Sequence, residues 1–367
     1  MKNRRIRKIL DAVLVPVLAV LSGLLLMAVL IAITGAPLLE SYSVLFEKAF
    51  GCEEIGKNCG LFTTLERATP IILTGLSAVV AFKSGMFSIG QEGQFLLGAV
   101  MAAWLGYAIQ LPTGLHQTVI LLASMAAGAA YGFIPGYLKV KLNVNVLLAT
   151  IVLNTIAMLF TSYMVEFPMR ADQNSIAYSQ IIDKTAELPI FLPGSKWGMG
   201  FVIAVAAVIV IYIYLWKTKK GYEQRMAGQA GRFAQYGGIP SDKSAIRAMM
   251  ISGALAGLAG GIELLGVHRR LMGGFSVGLG FNGLTAAILG QTHPLGVFIV
   301  SILFAGLNLG AQLGLQLRLG IPRELGGTII GFIILFIAAR KFYEANIERV
   351  GKWFRRKFNR KPKGENS

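Results

Sequence analysis

Charged residues are scarce in this chain of 367 residues. Asp, Glu, Lys and Arg make up only 14% of it, whereas 54% of the residues are hydrophobic and the mean hydropathy is +0.62. So few charges cannot coat a soluble globule of this size, which excludes an ordinary soluble enzyme or binding domain. The composition instead predicts a polytopic membrane protein.

Cysteine and histidine are scarcer still, which excludes several kinds of site. The three histidines, at positions 116, 268 and 293, are scattered without a second ligand at a recognisable spacing, so we expect no metal site. No Ser-His-Asp or Cys-His arrangement is present either, and we expect neither catalytic residues nor a cofactor. The two cysteines, Cys52 and Cys59, share one polar loop. A disulfide in an oxidising compartment and two free thiols both fit them.

Acidic residues are few relative to basic ones, and the net charge is +17. The basic side chains lie in loops and tails between apolar stretches, where the positive-inside rule places them on the cytoplasmic side. That rule accounts for the charge, so no nucleic-acid partner is expected. With alternate loops assigned inside, roughly 25 Lys and Arg are cytoplasmic against roughly 10 outside, which predicts that both termini are cytoplasmic.

Ten apolar stretches are long enough to cross the roughly 30 Å hydrocarbon core of a bilayer as helices. We predict them at residues 12–34, 68–82, 95–111, 118–138, 144–165, 199–216, 245–267, 277–290, 295–317 and 325–339. The fold class is therefore all-α. Because the second, eighth and tenth stretches are short, the predicted number of transmembrane helices is eight to ten, with 88–94 as a candidate re-entrant segment.

The stretches divide the chain into four regions. These are a basic cytoplasmic N-terminus with the first helix at 1–34, an extracytoplasmic loop at 35–67, a transmembrane domain at 68–339 with a cytoplasmic loop at 217–245, and a basic cytoplasmic tail at 340–367. The tail mixes basic with aromatic residues, which suits contact with anionic headgroups. The cytoplasmic loop is amphipathic, and both a membrane surface and a groove of a partner protein fit it.

Polar residues at membrane depth mark the candidate site for a solute. Residues 87–94 place the carboxylate of Glu92 and the carboxamides of Gln91 and Gln94 among glycines, between two apolar stretches. An ionisable group costs several kcal/mol there unless it faces a cavity or a partner, so it is a functional candidate. The tetrapeptide Phe-Ser-x-Gly at 87–90 recurs at 275–278, five stretches later. This echo predicts an inverted repeat, and transporters often bind solute at the interface between such repeats. The alternative is that the second tetrapeptide is a chance match.

Glu263 is a further acid within a predicted span, the seventh. His268, Arg269 and Arg270 follow it at the end of that stretch. In a continuous helix Glu263 and Arg270 lie two turns apart on one side, so we predict a local ion-pair network among these residues.

Four motifs together resemble one family. The loop with Arg225, Gly228, Ala234 and Gly238 resembles the coupling loop of ABC-importer permeases that serve ribose, branched-chain amino acids and nucleosides. Residues 88–94 resemble the "N-I-G-x-E-G-Q" run of that family, with Ser in place of Asn at position 88. Residues 150–154 resemble "T-I-M-L-N" of its nucleoside and simple-sugar branch, and 280–290 resemble "G-x-x-G-I-A-x-A-L-L-G", with Thr in place of Ala at position 285. The resemblance covers roughly residues 69–339.

The resemblance implies a permease subunit that translocates nucleosides across the cell membrane while a partner hydrolyses ATP. The implied partners are a cytoplasmic ATPase, a second permease that is homologous or identical, and an extracytoplasmic solute-binding lipoprotein. The residues that we expect along the substrate pathway are Gln91, Glu92, Gln94, Asn154, Phe281 and Asn282. Those expected to couple to the ATPase are Arg225, Gly228, Phe233, Ala234 and Gly238.

Three alternatives to nucleoside import remain at this point. A sugar permease and a branched-chain amino-acid permease belong to the same family, and no residue decides the solute. The third is a secondary transporter driven by an ion gradient, in which Glu92 would be the ion or proton site. An ATP-hydrolysing role for the chain itself is not expected, because it lacks a credible phosphate-binding loop.

Overall fold

The computed structural model describes residues 25, 28, 29, 32, 37–54, 57–171, 177–192, 194–276, 278–319 and 331. The chain divides into two compact units, one formed by Phe46–Leu309 and one by Met1–Leu45 together with Gly310–Ser367. Because only residues 25, 28, 29 and 32 of the first predicted span and residue 331 of the tenth are described, these two spans lie almost wholly outside the described residues. The count of ten spans and the cytoplasmic position of both termini stay predictions.

Apolar runs become helices here because the backbone must satisfy its own hydrogen bonds inside a bilayer. The helices are α1 (Leu38–Phe50), α2 (Gly60–Lys83), α3 (Gln91–Ala108), α4 (Leu115–Leu142), α5 (Val146–Glu166), α6 (Met199–Lys217), α7 (Lys219–Gln229), α8 (Gly231–Tyr236), α9 (Ser241–Glu263), α10 (Leu279–Leu289), α11 (Pro294–Leu309) and α12 (Leu317–Leu319). A 3₁₀ turn covers Lys184–Ala186, and π-helical turns cover Leu264–His268 and Gly310–Gln316.

Six of the described helices are long and apolar enough to cross a membrane. They are α2, α4, α5, α6, α9 with its π-helical extension to His268, and α11 with its extension to Gln316. Two shorter or more polar helices, α3 and α10, occupy the remaining predicted spans. The helical membrane-protein class is thus confirmed, and each of the eight predicted spans within the described residues coincides with a helix.

The predicted loop at 35–67 contains more structure than the sequence indicated. Helix α1 lies within it, and α2 begins at Gly60, eight residues before the predicted span. Between them, strands β1 (Cys52–Glu54) and β2 (Lys57–Cys59) form an antiparallel hairpin, a small exception to the all-α class. A disulfide joins Cys52 to Cys59, which resolves the choice that the sequence left open.

Close helix packing at small residues builds the core of the Phe46–Leu309 unit. A Cβ at Gly128 of α4 would collide with the backbone of α9 at Gly253 and Gly257, and a Cβ at Gly98 of α3 would also meet Gly257. Small residues let the helix backbones approach closely. The resulting van der Waals packing stabilises helix contacts in lipid, where the hydrophobic effect does not drive helices together. Most residues of α2 and α9 are buried in this core, whereas most residues of α5 and α6 are exposed or only partly buried.

Two helices begin inside the unit and not at its ends. Helix α3 follows the non-helical stretch 86–89, and α10 follows a turn and coil segment at 269–276. Their N-cap residues are glycines, Gly90 and Gly278, and Gly278 has φ = +78°, a conformation that other residues rarely adopt. These two interrupted entries bring polar residues of both segments together.

Candidate functional site

The N-termini of α3 and α10 meet at a buried carboxylate. Glu92, in the first turn of α3, is only 2% exposed, and its Oε2 accepts a 2.7 Å hydrogen bond from the backbone N–H of Gly280 in the first turn of α10. Each helix N-terminus carries a partial positive charge of roughly half a unit, and both stabilise an anion placed there. The carboxylate therefore joins two helices 188 residues apart in the chain.

Asn154 of α5 holds the entry into α3 from the other side. Its Oδ1 accepts a hydrogen bond from the N–H of Gly93, and its Nδ2 donates to the carbonyl of Ile89, both at 2.9 Å. One turn earlier on α5, the Oγ1 of Thr150 accepts from the N–H of Ile89 at 3.2 Å. These side chains partner backbone groups that the interrupted helix leaves without intrahelical partners.

Two carboxamides in the same turn have polar atoms without protein partners. Gln91 is fully buried, and neither its Oε1 nor its Nε2 has a hydrogen-bond partner among the described residues. Gln94 is 1% exposed, and its Oε1 has no partner in that part of the chain either. Unpaired buried amides cost about 1–3 kcal/mol each, so such groups call for a specific explanation.

Phe281 and Asn282 follow Gly280 on α10. Phe281 is 44% exposed, and Asn282 is half-buried. The structure thus gathers Gln91, Glu92, Gln94 and Asn154 around the first turn of α3, with Phe281 and Asn282 directly after the residue that Glu92 binds. Whether these six residues contact solute stays a prediction.

The Phe-Ser-x-Gly echo has a local structural meaning. Ser88 Oγ accepts from the N–H of Gly90, and Ser276 Oγ accepts from the N–H of Leu279, at 3.2 and 3.3 Å. Each serine thus accepts a hydrogen bond from a backbone N–H at the start of the helix that follows its tetrapeptide. The inverted repeat that this echo suggested stays a prediction. The sequence did not indicate the bond between Glu92 and Gly280, since the two lie far apart in the chain.

The predicted coupling loop forms two short helices, α7 and α8, which are separated at Ala230. Gln224 fixes α7 to the bundle, because its Nε2 donates to the carbonyl of Val80 at 2.7 Å while its Oε1 accepts from the hydroxyl of Tyr214 at 2.9 Å. Gly228 continues this attachment, since a Cβ there would collide with the turn at Lys83 and Gly85.

The five predicted coupling residues divide into inward and outward positions. Arg225 turns back over the ring of Trp216, with Cζ 5.5 Å from the ring centroid, and Ala234 is buried. Phe233 is 79% exposed, and Tyr236, three residues later on α8, is 92% exposed. Gly238 is exposed at φ = +78° and turns the chain toward α9. The outward aromatic pair, Phe233 and Tyr236, will be called the aromatic face of α8.

One family of known proteins accounts for most of the chain. The family described as "Branched-chain amino acid transport system / permease component" matches residues 60–338. The chain belongs to this family. It is therefore a multi-pass membrane permease, and its family consists of transport components and not of enzymes.

Individual relatives of the permease extend the match to nearly the whole chain. It is 34% identical to the guanosine ABC transporter permease protein NupP of Bacillus subtilis, over 90% of this chain and 94% of NupP. It is 31% identical to the nucleoside ABC transporter permease protein NupB of Lactococcus lactis, over 95% of each. It is also 30% identical to the glucose ABC transporter permease protein TsgB13 of Haloferax volcanii, over 95% and 92%. No solved structure matches the permease significantly.

At the end of the bundle opposite α7 and α8, the permease has a shallow cleft beside Met199 and Glu263. Its lining is apolar except for a few groups, among them Glu66, Lys196 and Glu263. The local ion-pair network predicted around Glu263 is present in part. The helix changes to a π turn that ends at His268, and Glu263 Oε1 lies 3.3 Å from His268 Nε2, whereas no ion pair joins Glu263 to Arg270 among the described residues. Arg270 instead lies over the ring of Tyr178, at 4.5 Å.

Proposed function

We propose that this permease imports nucleosides, with the energy supplied by ATP hydrolysis on a partner subunit. The observation that carries the proposal is the buried polar junction between α3 and α10, in a chain that resembles guanosine and nucleoside permeases along most of its length. A buried carboxylate and carboxamides inside a membrane bundle are costly unless they are paired or face a water-filled cavity, so they are candidates for the solute pathway.

The chemistry of the junction suits a nucleoside. In the described part of the chain, Gln91 has an amide NH₂ donor group and a carbonyl acceptor without protein partners, and the edge of a base or a ribose diol presents matching groups. Phe281 offers a partly exposed ring on which a base can stack. Glu92 and Asn154 hold the backbone with their polar atoms. We therefore assign solute contact to Gln91 and Phe281, and positioning to Glu92 and Asn154.

The proposed partners attach at opposite ends of the bundle. The aromatic face of α8 is the proposed contact for the ATPase, because large exposed aromatic side chains rimmed by polar residues mark interaction sites. A solute-binding lipoprotein would deliver solute at the end that carries the cleft with Glu66 and Glu263. A second permease, identical or homologous, would complete the translocation path.

Uptake of labelled nucleosides tests the proposal. Cells with and without the gene are compared, and the assay is repeated after the proton gradient has been collapsed while ATP is maintained. We expect uptake to be lost on deletion and to persist after collapse. Uptake that vanishes with the gradient would instead support the secondary transporter in which Glu92 carries the ion.

Competition distinguishes the solutes. Because a glucose permease is nearly as similar as the nucleoside permeases, unlabelled glucose, ribose and leucine are added in excess to the same assay. Unlabelled guanosine should abolish the signal, whereas the sugars and leucine should leave it unchanged. If deletion leaves nucleoside uptake intact but removes uptake of a sugar or leucine, the nucleoside assignment fails and the permease assignment stands.

A further inference from the structure

A cluster of cationic groups surrounds one tryptophan at the coupling-loop end of the bundle. Trp216 lies in the last turn of α6, with Lys83 Nζ 5.8 Å and Arg225 Cζ 5.5 Å from its ring centroid. The imidazole of His293 lies 4.9 Å from the same ring. Helices α2, α6 and α7 and the turn before α11 thus each contribute one of these four residues, which will be called the Trp216 cluster.

The charges of this cluster lack anionic partners in the described part of the chain. Neither Lys83 nor Arg225 forms an ion pair with an acidic side chain there, and the buried Nε of Arg225 has no hydrogen-bond partner. The acid nearest in sequence, Glu223, lies 3.6 Å from Arg247 instead. Two cations close together without an anion repel each other, so the cluster favours a bound anion.

His293 adds a hydrogen-bond donor without adding charge. Burial, and then the positive charge of Lys83, lower the pKa of His293 below its usual 6.5. The ring is therefore neutral at pH 7 and carries one N–H that can donate to an oxygen. Two cations and a neutral donor can hold the oxygens of a phosphodiester through charge-assisted hydrogen bonds.

The surroundings of the cluster match a membrane interface. Tyr212 stacks on Trp216 with centroids 5.6 Å apart, and such amphipathic rings gather at the headgroup level. Close in sequence to Trp216 and His293, α6 and α11 expose apolar side chains, with Ile213 48%, Leu295 50% and Ile299 66% exposed. A ligand with an anionic head and hydrocarbon chains would cover both features.

We propose that the Trp216 cluster binds the phosphate headgroup of an anionic phospholipid, with its acyl chains along the exposed faces of α6 and α11. Each basic group near an anionic membrane surface contributes to such binding, and two converge here. The site lies where α7 joins the bundle. Because Arg225 belongs to α7, a bound lipid would brace the coupling loop against α2 and α6.

The test compares lipid retention by matched variants of the full permease in its transporter complex. The complex is placed in nanodiscs of phosphatidylglycerol and phosphatidylcholine, and the lipids that remain bound are counted by native mass spectrometry. The double variant K83Q/R225Q removes the two cations of the cluster. The control K139Q/K141Q removes two cations near the C-terminus of α4, where Lys139 donates a hydrogen bond to Asn143.

We expect K83Q/R225Q to weaken phosphatidylglycerol retention about 30-fold, and the control to change it less than about threefold. The charge-conserving variant K83R/R225K should retain the lipid, which separates loss of charge from loss of folding. The proposal would be refuted if the two glutamine variants retained phosphatidylglycerol equally well. It would also be refuted if the wild type retained phosphatidylcholine as well as phosphatidylglycerol.

Two other occupants give different results. If millimolar inorganic phosphate displaces the lipid as readily as added phosphatidylglycerol does, the site recognises a free anion and the lipid proposal is wrong. If K83Q/R225Q keeps its lipid but loses the ATPase subunit from the complex, the cluster receives an acidic group of that partner. That result would also refute the lipid site, while it would leave the proposed transport function untouched.

Discussion

Replacing Asn154 with alanine tests how the interrupted helix is held. The carboxamide of Asn154 forms two buried hydrogen bonds of 2.9 Å, to the N–H of Gly93 and the carbonyl of Ile89. Alanine leaves both backbone groups without a partner, and each such group costs about 1–3 kcal/mol. Because water can reach a truncated site in part, we expect a loss of about 2–4 kcal/mol and not the full sum.

The control for this experiment is the same substitution at Asn308. Its Nδ2 donates at 2.9 Å to the carbonyl of Phe304, one turn back in its own helix. That carbonyl belongs to the helix ladder, so the alanine variant leaves no backbone group without a hydrogen bond. We expect Asn308→Ala to cost less than about 1 kcal/mol. Thermal unfolding of both purified variants in detergent gives the comparison.

Hydrogen exchange makes the test specific to the junction. In Asn154→Ala, the amide of Gly93 should exchange much faster, whereas amides in the middle of α4 should stay protected. Equal stability of the two alanine variants, together with unchanged exchange at Gly93, would refute the idea that Asn154 holds the entry into α3.

Three further predictions concern the junction and the coupling loop. Gly280→Ala would place a Cβ 2.5 Å from the backbone nitrogen of Glu92, so we expect it to destabilise the purified permease strongly, whereas Gly231→Ala, with open space around it, should not. Glu92→Gln keeps an acceptor for the N–H of Gly280, so we expect it to lower the free energy of unfolding by about 1–2 kcal/mol and to retain most of the uptake. Glu92→Leu removes that acceptor and should lower the free energy of unfolding by about 3 kcal/mol and abolish uptake. Complete loss of uptake in a stably folded glutamine variant would favour an ion-coupling role. The double variant F233A/Y236A should unfold like the wild type but lose ATPase binding in pull-down and uptake in cells, and unchanged binding would contradict the proposed contact.

Local properties of the sequence were enough to predict most of the helices. Apolar runs with few charges can only be satisfied as helices in a bilayer, and eight predicted spans coincide with described helices. Helix α1 and the early start of α2 were missed, because polar and charged residues in 35–67 resemble an aqueous loop. The sequence indicated a local ion-pair network at Glu263 but not that His268 is its partner, since helix periodicity does not indicate where a π turn ends a helix.

The coupling loop shows the same limit. Its amphipathic composition and family motif indicated a helical contact segment, and α7 and α8 are present. Composition did not separate Arg225, which lies over Trp216, from Phe233, which faces outward. That separation depends on the break at Ala230 and on the close approach of Gly228 to the end of α2, both of which are tertiary features.

By itself, the sequence determined that this protein is a helical membrane protein, because hydropathy and charge act residue by residue along the chain. Its motifs indicated the permease family to which it belongs, and they marked residues 88–94 as a polar segment between apolar spans. Only the tertiary structure decided what that segment contacts. Glu92 finds Gly280, and Asn154 finds Ile89 and Gly93, across separations of 61 to 188 residues. Such pairs form because buried backbone groups at interrupted helix ends must be satisfied by whichever side chain the packing of α3, α5 and α10 brings near.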